Sequence, residues 1–202
     1  GAAGPHSEGA LAMSATEPLD LFGQPVIQRR ADFDGKNRLK LIRRWGPGPI
    51  ACVIGHNPSD ADGTKDDPTS RWWNNWFQLF GFGGYVGGNL YPWCSAKPAD
   101  VYARVDGIDR GDWSARDELH FVNLPAVVAE AKKADQVFVC WGAIARDCLW
   151  LEHVIEEIQS GESPYPDLWC WGKTASGAPK HPMARGKHRI PKDQKPILWR
   201  AS

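Results

Sequence analysis

No run of apolar residues in the sequence approaches the ~18 needed to cross a bilayer as a helix. Net charge is missing too, since 24 Lys and Arg stand against 24 Asp and Glu, which excludes a disordered polyelectrolyte. With 42% hydrophobic side chains the chain has the material for one compact core. The opening GAAGPHSEGALA has neither the basic stretch nor the apolar core of a secretory signal. It reads as an expression remnant ahead of Met13, leaving residues 13–202 as a single domain, expected to be cytoplasmic, monomeric and without a membrane partner. Cysteine is sparse: Cys52, Cys94, Cys140, Cys148 and Cys170 are odd in number and form no C-x-x-C pair. A disulfide framework, a structural zinc and an iron–sulfur cluster therefore lack their ligand spacing, and the thiols read as small core hydrophobes. Internal repeats and low-complexity tracts are also absent.

Tryptophan, by contrast, is abundant: 11 residues, grouped at Trp72, Trp73 and Trp76 and again at Trp169 and Trp171. Flat rings either fill a core with their N–H groups satisfied or stack on bases and sugars.

Alternating apolar and basic residues on either side of Asp34-Gly35 predict a β-hairpin over Pro25 to Trp45, its basic face solvated. Continuous apolar runs at Ile50 to Gly55 and Gln136 to Gly142 have the form of strands covered on both faces. Tyr85 to Trp93 and Asp167 to Gly172 are further strand candidates. Helical spacing marks Ser70 to Phe82, residues 143–159 and Ser114 to Lys133, the last with Ser114 as N-cap and Asp117 three places on. Strands alternating with helices predict an α/β domain of three layers around a mainly parallel sheet, with the hairpin added at its N-terminus. In such sheets functional loops leave the carboxyl ends of the strands, here after Gly55, Asn89, Gly142 and Gly172.

Charge is uneven despite its zero sum. From Lys173 to Arg200 there are eight basic residues against one acid, Asp193, which is either a solvated tail or a phosphate-binding face. The loop VIGHNPSDAD places Asn57-Pro58 directly after a strand and a glycine, where backbone amides and a carboxamide can hold a water or a base edge.

Taken in order, GHNPS, PTSRWWNNWFQLFGF, GGNLYPW, VFVCWGAIA and HPMAR resemble the uracil-DNA glycosylase superfamily, especially its mismatch-specific branch. That branch has a G-x-N-P-G loop, then an N-R-F-W segment opening a helix, which Ser70-Arg71-Trp72-Trp73 matches. Its N-L strand end is matched by Asn89-Leu90 and its late H-P-S or P-S-S-x-A-R loop by His181 to Arg185. The similarity spans Ile50 to Arg185. The stretch from Asn57 to Thr69 also looks like a bacterial and phage family of domains without assigned function.

The resemblance implies an α/β fold of uracil-DNA-glycosylase type that hydrolyses the N-glycosidic bond of a uracil-like or modified base in DNA. The bond breaks through an oxocarbenium-like state, so a flipped nucleotide must be held, its departing base stabilised and a water placed near C1′. No metal or organic cofactor is required. On that pattern Asn57 orients the water and Gly55 and His56 border the base. Trp72 stacks on the base or sits in the core, and Asn89 pairs with a pyrimidine edge or caps its turn. His181 donates to the base O2, and Met183 with Arg185 fills the vacated space in the duplex. Arg71, Lys180, Lys187 and Arg189 meet phosphates.

Two departures stand out. Ser59 replaces the glycine of the mismatch-specific motif, and His181-Pro182 is not followed by serine. The loop after Asn57 also carries Asp60, Asp62, Asp66 and Asp67 where DNA would pass. That cluster reads as a solvated turn, a partner for Arg71 or the tail, a Mg²⁺ ligand beside a nucleotide, or the source of a carboxylate base such as Asp62. The rivals to a glycosylase are a module that binds the modified nucleotide without cleaving it and a Mg²⁺-dependent nucleotide-processing enzyme.

Overall fold

Gly35 takes φ +56°, the left-handed conformation required by the two-residue turn that joins Asp34 to Asn37. The chain there doubles back from β1 (Gln28–Asp34) to β2 (Asn37–Arg44). The computed structural model describes residues 26–144 and 148–202. The expression remnant expected at residues 1–12 lies outside them.

Four short apolar strands, β3 (Ile50–Gly55), β4 (Gly84–Asn89), β5 (Gln136–Val139) and β6 (Leu168–Cys170), run parallel in the order β4-β3-β5-β6. They form the centre of a seven-stranded sheet ordered β1-β2-β4-β3-β5-β6-β7, with β7 at Ile197–Arg200. The expected mainly parallel sheet is thus a mixed one, because β2 joins β4 and β7 joins β6 antiparallel. Hairpin and tail thereby satisfy backbone groups that the parallel strands would leave open at both sides.

Alternation along β3 sends Ala51 and Val53 to one face and Cys52 and Ile54 to the other. On the first face lies α1 (Pro68–Leu79), whose Trp73, Trp76 and Phe77 pack on Val53, Phe138 and Trp171. On the second lie α2 (Pro98–Asp109), α3 (Trp113–Asp117), α4 (Leu124–Lys133) and α5 (Cys148–Ile158), bringing Val127, Val154 and Ile155 against Ile54, Val137 and Val139. The layers are therefore helix, sheet and helices. No helix among the described residues is long and apolar enough to cross a membrane.

Local outcomes differ from expectation where capping and burial decide. The helix expected from Ser114 is capped by Asp112, whose side chain accepts from the Ala115 amide, and a π-helical turn, Glu118–Asn123, interrupts it. The helix expected over 143–159 is seen at Cys148–Ile158, residues 145–147 lying outside the described ones. The hairpin's basic residues are solvated only in part: Arg29, Arg30 and Lys36 are exposed, but Arg38 is 3% exposed and Arg43 is completely buried. Cys52, Cys140 and Cys170 are buried as core thiols, whereas Cys94 and Cys148 are exposed.

Candidate functional site

The carboxyl ends of β3 and β4 open into a cavity of about 210 Å³. Gly55, His56, Asn57, Asn89, Trp73 and His181 line it, with Arg38, Asp67, Ser59 and Ser95 at the same walls. Loops distant in sequence meet here because β3 and β4 pair in register through Gly55 and Asn89, and because the Gly142 amide donates to the Pro179 carbonyl, 2.9 Å, close to His181.

Asn89 is held from behind. The Asn123 carboxamide, at the end of the π-helical turn, donates to the carbonyls of Asn89 and Leu90 at 3.0 and 3.1 Å. The Trp150 indole N–H donates to the same Leu90 carbonyl at 2.9 Å. Asn89's own side chain is buried against Gly55, where a Cβ would stand 3.0 Å from its Oδ1. A glycine at 55 therefore gives this carboxamide its room.

Asn57 is occupied differently. Its Nδ2 donates to the carbonyls of Pro58, Trp93 and Ser95 at 2.9, 3.3 and 2.8 Å. Its Oδ1 is then left to accept from His56 Nδ1 at 2.9 Å, which places the imidazole proton on Nδ1. His56 Nε2 becomes a bare acceptor, buried and without a hydrogen-bond partner among the described residues. Burial also lowers the His56 pKa, against the Asn57 hydrogen bond that raises it.

His181 is neutral for the same reason. Burial pulls its pKa from 6.5 to about 4, with Asp67 opposing and His56 assisting. Its Nδ1 accepts from the Met183 amide at 3.1 Å, so its proton sits on Nε2 as an uncharged donor. Two charged residues complete the walls. The Arg38 guanidinium makes one side-chain bond, Nη1 to the Ala61 carbonyl at 2.7 Å, and leaves Nε buried without a partner. Asp67 is the N-cap of α1, accepting from the Ser70 amide through Oδ1 at 2.7 Å, while Oδ2 has no partner among the described residues. Buried polar groups left open cost about 1–3 kcal/mol each, and Arg38 Nε and His56 Nε2 are two such groups at one cavity.

The remaining candidates lie elsewhere. Trp72, expected beneath the base, is one helical step off and does not line the cavity: Trp73 faces the sheet, while Trp72 stacks on Trp76 and lines a separate groove. Asp62 is no poised base. Its Oδ1 accepts from the Thr64 and Lys65 amides and the Thr64 hydroxyl, and the Thr64 amide foremost holds its pKa at about 2. Arg71 donates to the Asp66 carbonyl at 2.6 Å and borders a surface depression with Arg29 and Lys65. Lys180, Met183 and Arg185 surround an apolar pocket of about 600 Å³ based on Trp141, which shares His181 with the cavity. Lys187 sits in an exposed 3-10 turn, and Arg189 lines the Trp72 groove.

The acidic loop resolves into separate tasks. Asp66 binds Arg43 at 2.7 Å and Arg29 at 2.9 Å, tying the loop to the hairpin rather than to the tail. Burial pushes the Asp66 pKa up, but the bonds from Arg43 and Arg29 outweigh it and hold it below the usual value. Among the described residues no three His, Cys, Asp or Glu side chains are grouped to hold a metal ion. Arg38 was not singled out by the sequence motifs, and Asp67 and Trp73 entered only as members of the acidic cluster and of the Ser70-Arg71-Trp72-Trp73 segment, without a role at the site. For Trp73 the signal was present, since 73, 76, 77 and 80 form one helical stripe of aromatics.

No curated protein and no solved structure matches the chain, and nothing in the comparisons links it to the uracil-DNA glycosylase superfamily. Residues 38–183 do match one family, described as "Protein of unknown function (DUF1643)". Every residue lining the cavity, from Arg38 to His181, falls within the matched segment. With most of the sequence inside that segment, the chain belongs to the DUF1643 family.

Proposed function

We propose that the cavity receives a single nucleobase turned out of a DNA strand and that the protein hydrolyses its N-glycosidic bond. The observation that carries this reading is the lining itself: the carboxamide of Asn89, the neutral imidazole of His181 and the indole of Trp73 around about 210 Å³. That volume is below the ~300–1,000 Å³ typical of sites for drug-sized ligands, so it suits one ring and not a whole nucleotide. Asn89 offers a donor and an acceptor to a base edge. His181 offers an uncharged N–H to an oxygen that gains charge as the base departs.

In this scheme the C1′–N bond breaks with its electron pair going to the base, and a water oxygen bonds C1′. Asp67 takes the water proton, and the departing base anion is protonated in turn. Asp67 replaces Asp62 and Asn57 in this role because it alone among the three is a carboxylate at the cavity wall. A second reading, capture of the base without cleavage, is favoured by the commitment of the Asn57 carboxamide to Pro58, Trp93, Ser95 and His56.

The test is a glycosylase assay on single- and double-stranded oligonucleotides carrying uracil, hydroxymethyluracil or larger thymine and cytosine modifications. Free base and an abasic strand are expected from at least one. Binding without product across the panel establishes the capture reading, and neither binding nor product from folded protein overturns both.

A further inference from the structure

We propose that the groove lined by Trp72 is the seat of the nucleotide next in the strand to the one whose base enters the cavity. This rests on the nucleobase reading of the cavity and extends it to a strand. The groove, about 290 Å³, is bordered by Trp72, Met183, Arg185, Arg189 and Lys192, and no acidic residue lines it.

The Trp72 ring is a prepared platform. It lies half-buried, parallel to Trp76 at 6.4 Å and 9°, and Trp171 meets it edge-on at 4.9 Å. Trp76 is itself 1% exposed, stacked on Phe80 at 4.2 Å, and its N–H donates to the Gln194 carbonyl at 2.9 Å. A ring so backed loses little freedom when a flat partner settles on its open face.

The cations are available as well. Five arginines of the fold are held by carboxylates: Arg29 and Arg43 by Asp66, Arg30 by Asp32, Arg104 by Glu118 and Arg200 by Glu152. Arg185, Arg189 and Lys192 have no ion pair among the described residues and stand beside the indole. Stacking ring and unpaired cations together match the base and phosphate of one nucleotide.

Cavity and groove are joined by one short passage of chain. His181 lines the first and Met183 the second. Two residues span at most about 7 Å, so the linings of cavity and groove are neighbours along this loop. A strand crossing the 181–185 loop thus meets both sites in succession. Trp72 takes the flanking base, and Trp73, the next residue of the same helix, borders the extruded one.

The experiment compares deoxyuridine with a short single-stranded oligonucleotide bearing one central deoxyuridine, titrated against wild type, Trp72→Ala and Arg185→Gln/Arg189→Gln. Trp72→Ala is expected to weaken oligonucleotide binding about tenfold or more while leaving deoxyuridine affinity unchanged. The double variant, all surface side chains, guards against misfolding of the first, and should lower the salt-dependence slope by about 0.7 for each phosphate that is no longer neutralised. Oligonucleotide affinity and salt slope unchanged in both variants overturn the groove and leave the cavity standing. So does a wild type that holds the oligonucleotide no tighter than the nucleoside. A wild type that binds neither probe removes the cavity reading and this one with it.

Discussion

Two arginines five residues apart on β2, and two adjacent aspartates, come to opposite ends. Arg43 and Asp66 use their polar capacity on the fold. Arg43 is wholly buried and gives hydrogen bonds to Asp66 and to the carbonyls of Arg30, Ile42, Asp62 and Lys65. Asp66 also accepts from Arg29 and Asn74. Arg38 is nearly as buried but keeps Nε without a partner, and Asp67, buried at the cavity wall, forms no ion pair among the described residues and accepts through Oδ1 as the cap of α1. The lesson is that burial of charge does not separate lock from site; the balance of donors and acceptors does.

The largest effect should come from breaking the lock. Arg43→Leu leaves the Asp66 carboxylate buried with a partner removed and is expected to cost about 3–5 kcal/mol in urea unfolding. Arg38→Met removes an under-partnered cation, so it should cost less than about 1 kcal/mol or even stabilise, while abolishing binding at the cavity. If Arg38→Met proves as damaging to stability as Arg43→Leu, the distinction fails.

Next in size is a loss of catalysis at constant stability. Asparagine caps helices about as well as aspartate, so Asp67→Asn should keep α1 within about 1 kcal/mol while base release falls roughly 100-fold or more. A variant that cleaves like wild type removes Asp67 from the reaction but leaves the cavity intact.

A smaller effect concerns pH. The folded His181 titrates near 4 against 6.5 unfolded, so the unfolded chain binds the extra proton first. Its contribution to stability is complete above 6.5 and disappears as pH falls through 4. The difference in urea midpoint between wild type and His181→Gln should therefore change only within that window. A difference that stays constant across pH shows that the imidazole is not held neutral by burial. The least effect is expected of Asp62→Asn. Its amide oxygen can keep the turn at Thr64 and Lys65, and cleavage should be unchanged. A severe loss of cleavage would return Asp62 to the site.

Much of the scaffold was legible because its signals are local. Ile50 to Gly55 and Gln136 to Val139 are unbroken apolar runs, and Asp34-Gly35 names its own turn. Helix α2 was not foreseen: it buries Val101 alone among its twelve residues and has no side-chain cap at Lys97, so its apolar stripe is faint, although Pro98 at its start was a usable mark. Strand β7 is only four residues long and is hidden in a basic tail. In the site, motif order brought out Asn57, Asn89 and His181, which do border one cavity. It could not distinguish Trp72 from Trp73, because both are aromatic and only the stripe through Trp76 and Phe77 fixes the phase. The burial of Arg43 was readable in principle, as it alternates in step with Leu39 and Leu41. That of Arg38 was not, because its surroundings come from the Ala61 and Pro92 segments, remote in the chain.

At the border of the sheet, β1 is the outermost strand among the described residues on its side. It carries Arg29, Arg30, Asp32 and Asp34, and its ladder is irregular between Asp32 and Phe33. A second molecule seeking to extend the sheet would meet mixed charge and a broken register, which discourages polymerisation through that rim. The opposite rim offers only the four residues of β7, too short a template for an ordered fibre even with Ile197 and Leu198 exposed. The hairpin that supplies the buried arginines thus also closes that rim of the sheet with charge.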